Sequence, residues 1–163
     1  MKNVIIMMGI PGSGKSTWVK DNLPTGKTVV ASADQFFTDP VTGVYNWRPN
    51  LLHMAHRASQ YAYISGLDDP KVTNVVVDNT NTKREFLRDY VQAANRRGYV
   101  PTIVVMHVDP KVAAERNLHG VTPEGVQRMQ DQIENTLKVG FPADWKIKIV
   151  HVNHTNNSGT ENT

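Results

Sequence analysis

Short, nearly continuous apolar runs alternate along this chain with longer stretches whose apolar residues recur every three or four positions. The runs cover residues 4–8, 28–31, 74–77, 102–107 and 146–152. Each has strand length, and apolar residues without strict alternation suit a strand buried on both faces. The helical period predicts helices over 15–22, 51 to about 65, 83–97, 110–117 and 122–139. The second places Leu52, Ala55, Ala58 or Ser59, and Ala62 on one side. The third places Phe86, Leu87, Tyr90, Val91 and Ala94 together and stops at Gly98, where a left-handed residue suits a helix end. The last opens on Thr122-Pro123-Glu124: a capping hydroxyl, a ring that fixes φ, and an acid at the positive end of the helix dipole. Strands alternating with amphipathic helices predict an α/β three-layer sandwich. Its sheet is expected to be mostly parallel, with four to five strands, helices on both faces and a helical lid.

After residue 152 the pattern stops. The stretch 153–163 is polar throughout and lacks the apolar content to pack, so disorder is expected there. The remainder, residues 1–152, reads as one domain. A chain of 163 residues buries roughly 70% of its unfolded surface, enough for a sizeable core. There is no cysteine, which excludes disulfides, zinc–thiolate centres and thiol nucleophiles and fits a reducing compartment. The apolar stretch 4–8 is too short for a signal segment or a membrane span. A soluble, cytoplasmic protein with no membrane attachment is therefore expected. Eighteen Lys and Arg against 15 Asp and Glu leave a net charge of +3. That suits a polyanionic substrate but is far below the charge of a protein that coats nucleic acid.

The sharpest chemical signal is Gly9-Ile10-Pro11-Gly12-Ser13-Gly14-Lys15-Ser16, followed by Thr17. It fits G-x-x-x-x-G-K-[ST] between a strand and a helix, the context in which that pattern cradles phosphates. Glycines let consecutive N–H groups curl toward phosphate oxygens, and the helix N-terminus adds positive potential. Gly12, Ser13, Gly14 and Thr17 are expected at the nucleotide. Lys15 reaches the β- and γ-phosphates, and the Ser16 hydroxyl is the expected Mg²⁺ ligand. The chain has no [ST]-K-x-D guanine motif, which disfavours a GTPase, and little length for a motor or ring ATPase. ATP with Mg²⁺ and phosphoryl transfer are the economical reading.

Ligands bind beyond the carboxyl ends of strands in open α/β sheets. Asp34, after the second strand, therefore falls beside the triphosphate, where a carboxylate can take the proton of an attacking hydroxyl. A plain helix cap would explain it too. Asp78-Asn79-Thr80-Asn81 closes the third strand. Asp78 is placed to order water around the metal or to meet the acceptor, while Asn81 or Thr82 would cap the next helix. Late in the chain, Arg116 and Arg128 are lid candidates, because a planar guanidinium binds phosphate oxygens bidentately and stays charged.

Taken in order, the phosphate loop, Ser32-Ala33-Asp34-Gln35-Phe36-Phe37, Gly43-Val44-Tyr45, Ala55-His56, Asp78-Asn79-Thr80-Asn81 and Arg116-Asn117-Leu118-His119-Gly120-Val121 resemble the polynucleotide-kinase-like P-loop kinases. That family includes phage 5′-hydroxyl polynucleotide kinases and the kinase half of end-repair enzymes. The closest pattern is a branch marked by S-x-D-x-F-F and R-N-x-H-G-V. The resemblance implies ATP-dependent phosphorylation of 5′-hydroxyl ends of DNA or RNA, in the context of nucleic acid repair. Asp34 would be the base, Lys15 and Ser16 would hold ATP and Mg²⁺, and Arg116, with Arg128 second, would serve the β/γ-phosphates. Asp78 would fix the acceptor or the metal's water. His56 and Asn81 match family positions without an assigned chemistry.

One position departs. Phage members carry Asp-x-x-Arg, whose arginine grips the acceptor phosphate, and here Phe37 stands in its place. Phe36 and Phe37 would stack on a base or pack in the core, and the segment Tyr45-Asn46-Trp47-Arg48 is the candidate replacement for the grip, with Arg57 on the next helix another option. Two other readings compete: a kinase of a small molecule such as a nucleoside, sugar or antibiotic, and a non-catalytic nucleotide-binding module. No D-x-D-x-T phosphatase pattern and no ligase module is present, so the chain is expected only to add phosphate.

Overall fold

The computed structural model describes residues 2–116 and 120–152, apart from the side chains of Pro110 and Ala114. The stretch 153–163, and Asn117, Leu118 and His119 of the late motif, lie outside the described residues. In chain order the elements are β1 (Asn3–Met8), α1 (Lys15–Asn22), β2 (Thr28–Ala31), α2 (Ala33–Phe36), a 3₁₀ turn (Pro49–Leu51), α3 (Leu52–Asp68), β3 (Asn74–Val77), α4 (Arg84–Arg96), β4 (Thr102–His107), α5 (Pro110–Glu115), α6 (Pro123–Val139) and β5 (Lys146–His151).

Among the described residues the five strands form one sheet in the order β2-β3-β1-β4-β5. Every pairing is parallel. Val76 sits in register with Ile5 on one side and Val30 on the other. The interior strands are the driest part of the molecule: Ile6, Met7, Met8, Val75, Val76, Val77, Ile103, Val104 and Val105 are all at 0% exposure. Burial on both faces is why their sequences read as runs rather than alternations. Each such side chain contributes about 1.5–3 kcal/mol.

Parallel strands need crossovers, and crossovers are right-handed. From β1 to β2 the chain moves toward one edge, and every later connection moves toward the other. Handedness therefore sets α1 on one face and α3, α4 and α6 on the opposite face. The sheet's carboxyl ends all meet at one rim.

Two helices differ from expectation in detail. The buried stripe of α3 is Ala55, Ser59, Tyr63, Gly66 and Leu67. Leu52 is 40% exposed. On α4, Leu87, Tyr90, Val91, Ala93 and Ala94 are buried, while Phe86 is half exposed under the Lys83 ammonium. The cap expected from Asn81 or Thr82 is absent: Lys83 occupies the N-cap position without a side-chain bond. Thr82 instead donates to Gln132 Oε1 at 2.6 Å and tethers α6. The start of α6 is as expected, with the Thr122 hydroxyl accepting from Gly125 N at 3.1 Å.

Candidate active site

The phosphate loop joins β1 to α1 at the carboxyl rim. Gly14, the N-cap of α1, is left-handed at φ 89, and Gly12 has φ 79. A Cβ on Gly12 would stand 2.1 Å from the carbonyl oxygen of Ala113 on α5, so the glycine also lets α5 pack directly against the loop. Lys15 Nζ donates to the carbonyls of Gly9 and Ile10, both at 3.0 Å. Burial pushes its ammonium below the ordinary lysine pKa, and the carboxylates of Asp78 and then Asp34 act against that shift. The three charges therefore share one neighbourhood.

Ser16 Oγ donates to Asp78 Oδ2 at 2.7 Å. A hydroxyl and a carboxylate at the rim form a small set of hard oxygen donors. That set fits Mg²⁺, which keeps most of its shell as water and phosphate oxygen. Thr17 follows in the first turn of α1.

Asp34 sits in α2, a single turn that the strand-and-helix pattern did not reveal. Ser32 caps it by accepting from Asp34 N at 3.2 Å. Asn79 holds it from below: its Oδ1 accepts from Ala33 N at 2.8 Å, and its Nδ2 donates to Ser59 Oγ at 3.1 Å. Asn79 is thus the positioning residue of the Asp34 turn. Sequence reasoning passed over it in favour of its neighbours, although its place two residues beyond a fully buried strand was the available signal.

Tyr45 reaches Asp34 from the other side, its OH donating to Oδ1 at 3.2 Å. Desolvation, then the Asp34 charge and hydrogen bond, push the phenol up to about 12, so it stays a donor at any working pH. His56 also feels Asp34, which raises its pKa, but partial desolvation is the larger effect and holds the imidazole below its ordinary value. Asp34, Lys15, Ser16, Asp78, Tyr45 and His56 are thereby linked at one rim.

Other expected residues are placed differently. Phe37 is 6% exposed and packs with Ala33 and Ala55 under Tyr45 and Leu51; a ring buried there has no free face for a base. Asn81 is buried at φ 47 and donates its amide to Met7 O at 2.8 Å, so it braces β1 rather than meeting an acceptor. Trp47 and Arg48 are exposed on the segment before the 3₁₀ turn. Arg116, just after α5, has a buried Nη1 with no hydrogen-bond partner, and Ser13 Oγ in the loop is in the same state. Buried donors left unpaired are costly, and both belong to the segments expected at phosphate. Arg128 is exposed on α6.

Residues 4–138 match a family model described as an AAA domain. Human NEDD4-binding protein 2 is 30% identical over 146 residues, covering 83% of this chain and 8% of that protein. The chain therefore spans under a tenth of that relative. A solved Pnkp1/Rnl/Hen1 RNA repair complex superposes with a TM-score of 0.68 at 20% identity, over 86% of this chain and 46% of that one. An unliganded sugar kinase from Janibacter sp. HTCC2649 superposes with a TM-score of 0.58 at 17% identity, over 93% of this chain and 86% of that one. At these identities the structural likeness carries the fold, which is an α/β P-loop NTPase-like fold. No helix among the described residues is long and apolar enough to cross a membrane.

Proposed function

The chain belongs to the AAA domain family, and from that premise we propose that it transfers the γ-phosphoryl group of ATP to the 5′-hydroxyl end of a DNA or RNA strand. The observation that supports this most is the gathering of Asp34, Lys15 and the Ser16–Asp78 pair at the mouth of one phosphate loop. Phosphoryl transfer needs little covalent help from the protein; positioning and charge neutralisation do most of the work.

Each group has a task in that reaction. Loop N–H groups and Lys15 hold the β- and γ-phosphates, the lysine exchanging its two carbonyl partners for phosphate oxygens. Ser16 and Asp78 would hold Mg²⁺, which when bound neutralises charge on those oxygens. Arg116 turns its unpaired guanidinium N–H to the same charge. Asp34, oriented by Tyr45 and Asn79, accepts the proton of the acceptor hydroxyl. The hydroxyl oxygen forms a bond to the γ-phosphorus, the bond from that phosphorus to the bridging oxygen breaks, and ADP leaves with the electron pair.

Incubation with γ-labelled ATP, Mg²⁺ and a 5′-hydroxyl oligonucleotide tests the reading. Label should appear on the 5′ end, and Asp34→Asn should lower kcat by about 10²–10⁴-fold while ATP affinity is kept. Transfer by Asp34→Asn at the wild-type rate would remove Asp34 as the base. The sugar-kinase likeness, which extends over most of both chains, supports a second reading: the same base acting on a hydroxyl of a small acceptor. Label on a sugar or nucleoside but on no oligonucleotide would select it.

A further inference from the structure

Resting on the polynucleotide reading, we infer that the cavity between α2 and the following hairpin is a stacking subsite for a base of a single-stranded acceptor, downstream of the nucleotide that is phosphorylated. Residues 37–46 form a compact hairpin. Thr38 and Tyr45 bridge antiparallel, Asn46 N donates to Phe37 O at 2.8 Å, and Asp39 N donates to Val44 O at 2.9 Å. The turn is closed by Asp39, whose Oδ1 accepts from Val41 N at 2.7 Å and Thr42 N at 3.0 Å. Between this hairpin and the end of α2 lies a cavity of about 450 Å³ whose wall includes Phe36, Pro40, Val44, Arg48 and Leu51. This open cleft has a volume in the range of small-ligand pockets, with room for a nucleobase and its sugar.

Three features fit that occupant. First, Phe36 is 39% exposed, yet it stands edge-on to the buried Phe37 with centroids 5.3 Å apart. The ring is held in place while remaining open to solvent, and a fixed aromatic is what base stacking uses. Second, Arg48 lines the cavity and has no ion pair among the described residues. Asp39 lines it as well, but two backbone amides hold its carboxylate in its own turn and lower its pKa. Arg48 is left to meet a phosphate. Third, of the large apolar side chains exposed among the described residues, Phe36, Val41, Val44, Trp47, Leu52 and Met54 all come from this one segment. Such concentration marks a contact surface rather than scattered exposure.

The geometry of α2 indicates which part of the acceptor would bind here. Asp34 and Phe36 share one turn, but at about 100° per residue their side chains leave α2 on different sides, and the cavity continues beyond the helix end. The strand past the first nucleotide reaches it, and a lone sugar or nucleoside at Asp34 does not. Because bases in a duplex are stacked on each other, the site selects unpaired ends.

The test compares KM for a nucleoside 3′-monophosphate, a trinucleotide and a hexanucleotide, all with 5′-hydroxyls. In the wild type KM should fall as the acceptor lengthens. Phe36→Leu keeps apolar bulk against Phe37 but removes the π-face; Arg48→Gln removes the cation. Each should reduce the gain from lengthening about tenfold or more, the scale of one lost stacking or phosphate contact. Equal length dependence in wild type and both variants would overturn the subsite. Anisotropy of a labelled hexanucleotide on the Asp34→Asn chain reads the subsite without turnover. Binding weakened by Phe36→Leu and Arg48→Gln supports it, and binding unaffected by either overturns it. Absence of transfer to every 5′-hydroxyl acceptor would instead count against the kinase reading, leaving the anisotropy result to judge the subsite.

Discussion

Tyr45 is where a single residue carries the most inference. Its OH contacts Asp34, its ring lies edge-on to Phe37 at 6.3 Å, and its pKa near 12 keeps the proton on oxygen. It orients Asp34, the base in the proposed reaction, so its proposed part is that of a positioning residue. Tyr45→Phe keeps the ring packing and removes one solvent-exposed hydrogen bond to the Asp34 carboxylate, a bond that water can replace in the fold but that no longer orients the carboxylate. The expected result is a fall in kcat of about tenfold or more with the KM for ATP unchanged and the Tm kept within a degree or two. A matching loss of Tm would assign Tyr45 to the hairpin's stability instead. The sequence showed this tyrosine as part of a resemblance and of a candidate acceptor-gripping segment, not as a partner of Asp34. The bridge that brings it to Asp34 spans a loop, and loops leave no period to read.

At the scale of elements, legibility followed burial. β3 and β4 were readable to the residue because their buried apolar runs stop sharply at both ends, and the edge strand β2 because its Val-Val-Ala run stands between polar and glycine-containing stretches. The α1 boundary was equally clear, since the phosphate motif dictates where the helix begins. α2 and the 3₁₀ turn were invisible: each is a single turn, stabilised by Ser32, Asn79 and the α3 packing rather than by any period of its own. Phe36-Phe37 shows the same limit, for adjacent aromatics do not reveal which one faces inward. What holds α2 therefore makes a sharp prediction. Asn79→Leu leaves Ala33 N without its partner, while Ser59 Oγ and Tyr90 OH keep each other, at a cost of about 1–3 kcal/mol for the unpaired amide. With a domain of this size losing about 2–4 °C per kcal/mol, calorimetry should show a Tm drop of several degrees, along with weakened transfer. An unchanged Tm would mean that α2 is held by Ser32 alone. A second link joins α3 to α4, where Arg97 donates to both oxygens of Asp68 at 2.6 and 3.2 Å. The guanidinium holds the Asp68 carboxyl below its ordinary range. A depressed folded pKa gives stability that is present above the unfolded carboxylate pKa and lost as pH falls through the folded one. Asp68→Asn should accordingly lower Tm modestly at neutral pH and leave it nearly unchanged in strong acid. An equal shift at both pH values would remove the charge from the explanation.

For the whole molecule, the decisive question is how far the phosphate loop is strained before nucleotide arrives. A parallel sheet gathers five carboxyl ends at one rim, and the loop places there a lysine whose charge is disfavoured by burial even with two carboxylates nearby. A base whose folded pKa is lowered costs stability while it remains charged, and the cost is relieved as pH rises through the folded pKa toward the unfolded one. Lys15 therefore works against the empty fold and in favour of the loaded one, a trade expected of binding sites. Lys15→Met, with similar length and no charge, separates the two. Without nucleotide its Tm should match or exceed the wild type's. At about a hundredfold excess over Kd, ATP contributes about 2.7 kcal/mol to the wild type, which is roughly 5–10 °C at this size, and most of that rise should vanish in the variant. If Lys15→Met instead melts several degrees lower without ATP, then its bonds to the Gly9 and Ile10 carbonyls are holding the loop together. In that case the lysine is structural before it is functional, and the empty loop is not strained by its charge.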